Sequence, residues 1–202
     1  GRKMKSLKND FSLMSSLLIP VAVAINFAGF GIVKLLQVPI FLDSIGSVFI
    51  SLIAGPWVGI VTAVITSLIT GSFSPEYFAF IPVGICNALV VGLAGKIKTK
   101  NLITKTIIVS LVLALTSILV SIPIIIKVYG GFTGNASSTV VVLFKSLGFS
   151  LEQAVGIATM LTEATDKIVT TIISMLIIKS MSDRYLIKFK YGENYIYKKN
   201  GE

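Results

Sequence analysis

Three ionisable residues sit together in Thr162-Glu163-Ala164-Thr165-Asp166-Lys167, near the middle of a predicted helix over 151–179. Inside a bilayer an ionisable side chain is costly and marks a functional site by default. Glu163 and Lys167 stand four apart, on one helix face and in the order that favours a pair. Two chemistries fit this spacing: an internal ion pair that fixes helix packing, or a charged group that faces a solvated cavity and binds a solute. Asp43 poses a similar choice in Pro39-Ile-Phe-Leu-Asp-Ser-Ile-Gly46. It either accepts from the free amides of a helix start or contacts a ligand. Ser44 and Ser47 extend a polar stripe from it, although serines in membrane helices also bond their own backbone. Asn26 and Asn87 lie deep in apolar runs, where each amide needs a partner. Hydrogen bonding between helices would supply one.

Other chemistries are excluded by what the chain lacks. It has no histidine, so neither a Ser-His-Asp nor a Cys-His site can be built, and the commonest metal ligand is missing. Its one cysteine, Cys86, lies in an apolar run and reads as a small buried hydrophobe. No Gly-x-x-x-x-Gly-Lys-Ser/Thr loop for a nucleotide phosphate is present. No enzyme, metal or cofactor is expected.

The elements that hold these residues are apolar and long. Of 202 residues 54% are hydrophobic and 13% charged, with mean hydropathy +0.90. Soluble domains carry roughly 25% charge, so lipid is the expected solvent. Residues 11–33 are uncharged and predict a first helix over 11–36, retained rather than cleaved as a signal peptide, ended by Gln37-Val38-Pro39. Residues 44–75 are also uncharged, but Gly55-Pro56 divides them into helices over 41–54 and 57–70. A loop over 71–75 and helices over 77–95 and 106–126 follow. A glycine-rich stretch from 130 to 150 contains a short amphipathic helix at 138–147, then comes the helix over 151–179. The tail from 182 suggests a small hairpin around Gly192-Glu193-Asn194.

The chain thus reads as an all-α integral membrane protein with one six-helix solute-binding domain, 1–181, and a cytoplasmic tail, 182–202. Six crossings put the N-terminus, the Gly55-Pro56 turn, the 96–105 loop and the tail on one side. Fourteen of the 18 basic residues fall there, leaving Lys34, Lys127, Lys145 and Lys167. The positive-inside rule makes that side cytoplasmic, an N-in/C-in plan. This accounts for the net charge of +9 without a nucleic-acid partner. Trp57, just after the turn, reads as an aromatic anchor at the inner interface. Asp43, Glu76, Tyr77, Asn135 and Glu152 then gather on the outer side, with Ser44, Ser47, Asn87, Glu163 and Asp166 deeper. Polar groups from separated segments converging on an apolar cavity are what a solute site requires. Ala24 and Ala28 make a small-xxx-small step that serves either internal packing or the docking of another protein.

These features resemble the substrate-binding S component of an energy-coupling factor transporter. The resemblance is carried by Ala24-Ile-Asn-Phe-Ala28-Gly29, Leu42-Asp-Ser-Ile-Gly46, Ala54-Gly-Pro-Trp-Val-Gly59 and the stretch 62–71, within a six-helix chain of this length. It implies a multi-pass protein of a bacterial cell membrane that captures a vitamin-like solute from outside. It also implies a transmembrane T subunit and two ATPase subunits as partners, with Ala24 and Ala28 facing the T subunit. A pyridoxine- or hydroxymethylpyrimidine-like solute is the preferred member of that class. A standalone proton-coupled secondary transporter, with Glu163 or Asp166 as proton site, is the alternative.

Overall fold

The computed structural model describes residues 11–197, and among them it contains helices and turns but no strand. The basic residues at 2–8, Lys198 and Lys199 lie outside the described residues. In order come α1 (Leu13–Leu36), α2 (Ile45–Ala54), α3 (Pro56–Phe73), a 3₁₀ turn (Pro75–Phe80) that leads into α4 (Ile81–Gly95), α5 (Leu102–Tyr129), α6 (Ser137–Ser146), α7 (Leu151–Ser180), α8 (Asp183–Leu186) and a second 3₁₀ turn (Gly192–Tyr195).

Four stretches are long and apolar enough to cross a membrane: α1, α3, the first 3₁₀ turn with α4, and α5. The chain is therefore a helical protein with membrane-spanning character. α2, with 10 residues, rises only about 15 Å. α7 has 30 residues, but its charged middle breaks the apolar run.

The distribution of polarity is inverted relative to a water-soluble fold. α5 buries Ser110, Ser117 and Ser121 and exposes Ile107, Leu111, Leu115 and Leu119. α3 buries Thr62, Thr66 and Thr70 and exposes Ile65, Leu68, Ile69 and Phe73. α7 buries Thr162, Glu163, Asp166, Lys167 and Thr170 and exposes Leu161, Ile168, Ile172 and Leu176. Faces of this kind are stable when the surrounding solvent is hydrocarbon and the polar groups find partners inside.

The break between α2 and α3 follows from the residues at it. Gly55 adopts φ 104°, open to glycine, and Pro56 occupies the first turn of α3, where a missing N–H costs nothing. At its other end α2 lies hard against α1. A Cβ on Gly46 would overlap the Ala22 carbonyl, and one on Gly29 would overlap that of Leu42. That close approach brings Asn26 to the start of α2. Its Oδ1 accepts from the amides of Gly46 (2.7 Å) and Ser47 (3.1 Å), and its Nδ2 donates to Ser47 Oγ (2.8 Å) and Thr66 Oγ1 (2.9 Å). Asn26 thus caps α2 from a neighbouring helix. Of the two roles open to Asp43, the helix cap is not made, because Ser44 holds the position before α2 and no side chain of the connection bonds its amides.

The described part of the tail, residues 182–197, forms no hairpin. α8 and the second 3₁₀ turn fold it onto the end of the bundle, with Leu186, Phe189 and Tyr195 buried in the main hydrophobic core. There Tyr191 N donates to Ile53 O (3.0 Å) and Tyr195 Oη to Leu52 O (3.2 Å). These carbonyls end α2 and would otherwise lack partners. Lys105, fully buried, donates to Gly95 O (2.8 Å) and to Ile97 O. The break, the 96–101 connection and the tail therefore meet at one end. The 37–44 connection, the first 3₁₀ turn and the 130–136 segment meet at the other, joined by Tyr129 Oη donating to Glu76 O (2.8 Å) and by Lys34 donating to Ser74 Oγ.

Candidate functional site

A cavity of about 100 Å³ opens below this second end. Its polar lining comes from across the chain: Asp43 and Ser44 before α2, Ser47 on α2, Thr66 on α3, Glu76 and Tyr77 on the turn, Asn87 on α4, Ser121 on α5, Asn135 and Ser137 after α5, and Glu163 and Lys167 on α7. Phe41, Phe80 and Val83 are among its apolar walls. The volume is below the roughly 300 Å³ at which drug-sized pockets begin, and suits one small ring or several waters. A second cavity of about 90 Å³ adjoins it, sharing Phe41, Glu76, Tyr77, Asn135 and Ser137, with Lys34 and Gln37 on its far wall.

α7 supplies the charged floor. Lys167 Nζ lies 2.6 Å from Asp166 Oδ2 and 3.4 Å from Glu163 Oε2, and 5.9 Å from the centre of the Phe41 ring. Ser117 Oγ donates to the same Glu163 oxygen at 2.7 Å. Asp166 Oδ1 accepts from the amides of Leu42 (2.8 Å) and Phe41 (3.2 Å). Leu42 has φ 53°, a left-handed conformation unusual for a leucine, and these bonds help to hold it.

The hydrogen bonds of the lining do not close. Asn26 uses both its amide N–H groups and accepts twice, whereas Asn87 makes one long donation, to Ser117 Oγ at 3.4 Å. Asn87 Oδ1, Ser121 Oγ and Ser44 Oγ are buried and have no partner among the described residues. Buried polar atoms are nearly always satisfied; of five unpartnered ones among the described residues, these three gather on the cavity and two, Ser51 Oγ and Thr170 Oγ1, lie outside it, so the cavity holds most of the spare polar capacity.

Of the ten residues expected to bind solute, the fold brings eight together here: Asp43, Ser44, Ser47, Glu76, Tyr77, Asn87, Asn135 and Glu163. Two lie elsewhere. Glu152 is exposed in the first turn of α7, where a carboxylate faces the positive end of the helix. Asp166 stands behind the lining, its oxygens taken by Lys167 and the Phe41–Leu42 backbone. Sequence reasoning left Lys167, Thr66, Ser121 and Ser137 off the wall. The spacing of Ser110, Ser117 and Ser121 along an apolar helix, and of Thr62, Thr66 and Thr70, was a readable signal for two of them. Ala24 and Ala28 are both exposed, on the outward stripe of α1 with Leu17, Val21, Ile32 and Leu35, so neither packs within the bundle. Comparison with known proteins returns no match: no family model, no curated protein and no solved structure matches this chain.

Proposed function

We propose that the chain is the solute-binding membrane subunit of an energy-coupling factor transporter, which captures a small vitamin-like solute from outside a bacterial cell. The observation that carries this reading is the cavity, where side chains from separated segments converge and Asn87 Oδ1, Ser121 Oγ and Ser44 Oγ remain unpartnered. An apolar cavity with a few convergent polar groups is the usual form of a small-molecule site. In this reading α7 is also a crossing, its charges paired inside the bundle, and α2 with the 37–44 connection makes another. Six crossings then place both ends in the cytoplasm and the cavity toward the outside. The exposed step Ala24–Ala28 offers close approach to a T subunit, and two ATPase subunits supply the energy that this chain has no phosphate loop to harvest.

Transport by proteoliposomes tests the proposal. Uptake of a solute bound by the purified chain should require ATP and the added T and ATPase subunits. Uptake driven by a proton gradient with the chain alone would instead support a secondary carrier, for which Glu163, buried at the cavity, is the candidate proton site. Topology has its own test: in a Cys86→Ser background, Lys100→Cys and Lys188→Cys should be shielded from an impermeant thiol reagent in intact cells, and Thr139→Cys should react. Replacing both Ala24 and Ala28 with Trp should leave solute binding intact and abolish assembly with the T subunit.

A further inference from the structure

The cavity is unbalanced in both charge and hydrogen bonding. The carboxylates of Asp43, Glu76 and Glu163 line it, and they face one ammonium among the described lining residues, Lys167, already paired with Asp166 and Glu163. Asn87 adds an unpartnered acceptor; it is 5% exposed, and its amide nitrogen is turned to Ser117. The acceptors reach the cavity from four separate elements: the connection before α2, the turn before α4, α4 and α7. A carboxyl group held in apolar surroundings stays ionised only when paired. A ligand that brings positive charge and N–H donors completes the site; one that brings a carboxylate or phosphate adds to the imbalance. Phe41 and Phe80 add aromatic surface to the lining, and aromatic rings attract other rings and cations.

We propose that the cavity selects a small organic cation, a single-ring solute that carries a protonated amine or amino-substituted nitrogen whose N–H groups bond Asn87 Oδ1 and the surrounding carboxylates. This deepens the solute-binding reading and rests on it. Inorganic cations are the rival occupants, but no cluster of carboxylates with metal-binding geometry occurs among the described residues.

Three probes of nearly equal size separate the possibilities: benzylamine, benzyl alcohol and benzoate. Their affinities for the full chain in lipid nanodiscs are measured by titration calorimetry and by the shift in melting temperature, beside Mg²⁺ and Mn²⁺. Any small molecule that copurifies is identified by mass spectrometry. Benzylamine should bind at least about tenfold more tightly than benzyl alcohol, with benzoate weakest. Glu76→Gln should reduce the preference for the amine severalfold, while Glu152→Gln, outside the cavity, should not alter it. Equal affinities, or a preference for benzoate, overturn the inference and leave the solute-binding reading standing. A copurified neutral or anionic solute does the same, and stabilisation by Mg²⁺ or Mn²⁺ alone overturns it in favour of a metal site. If no probe binds, a copurified amine supports the inference; with no copurified molecule either, the solute-binding reading fails and takes the inference with it.

Discussion

Two buried lysines divide the molecule into halves that solve the same problem differently. Lys105, at the end with the tail, donates to the carbonyls of Gly95 and Ile97, and its ammonium lies 5.3 Å from the centre of the Tyr195 ring. The backbone acceptors there are matched: Tyr191 and Tyr195 close the last carbonyls of α2, and Asn194 Nδ2 reaches Gly95 O at 3.4 Å, while Ser51 Oγ, buried in the last turn of α2, has no partner among the described residues. Lys167, at the other end, pairs with Asp166 and Glu163, yet the groups around it leave acceptors over. One cluster closes a helix break; the other borders a cavity. Burial of charge alone therefore does not mark a site; unpartnered polar atoms gathered on one cavity do.

That contrast breaks most visibly at Asp166 and Lys167. Removing one partner of a buried pair typically costs about 3–5 kcal/mol. Lys167→Ala should therefore lower the unfolding free energy by about that much, and Asp166→Ala should do so as well, because it also frees the Phe41 and Leu42 amides. Denaturation in detergent measures both, and a loss confined to solute affinity, with stability unchanged, would make Asp166 a ligand contact after all. At the matched end, Lys105→Met should cost about 1–3 kcal/mol, the usual effect of leaving buried acceptors unmade. Solute affinity should not move, since Lys105 does not line the cavity and bonds carbonyls at the opposite end.

The two amides sharpen the comparison. Asn26→Leu should destabilise the fold, because it removes the cap of α2 and four hydrogen bonds. Asn87→Leu should leave stability within about 0.5 kcal/mol, since it gives up one long hydrogen bond and removes a buried acceptor that has no partner. It should weaken solute binding about tenfold, roughly 1.4 kcal/mol. Equal effects of the two substitutions on stability would show that Asn87 is as structural as Asn26. At the end with the tail, Tyr195→Phe should cost about 0.5–1.5 kcal/mol for one hydrogen bond, read as a shift in melting temperature with solute affinity constant.

Apolar run lengths, the break at Gly55-Pro56, the stop before Pro39 and the short helix near 138–147 were all legible along the chain, because hydrocarbon-length runs and backbone-restricted residues act locally. So was the gathering of polar residues on one side, since alternating segments must return to the same end. What no local pattern could decide is which polar atoms are spent. Asp166 and Glu163 lie three residues apart on α7, yet Asp166 bonds the backbone of Phe41 and Leu42, more than 120 residues away in the chain, while Glu163 reaches the cavity. Asn26 and Asn87 are alike in sequence context, and only the approach of α2 to α1 at Gly46 satisfies the first. The tail suggests a hairpin from its sequence, and only packing brings its aromatic residues to the open end of α2. Helical periodicity determines which face a residue occupies, but a hydrogen bond forms over about 3 Å. Its partner is therefore chosen by the packing of distant segments, and the cavity is defined by the bonds that this packing leaves unmade.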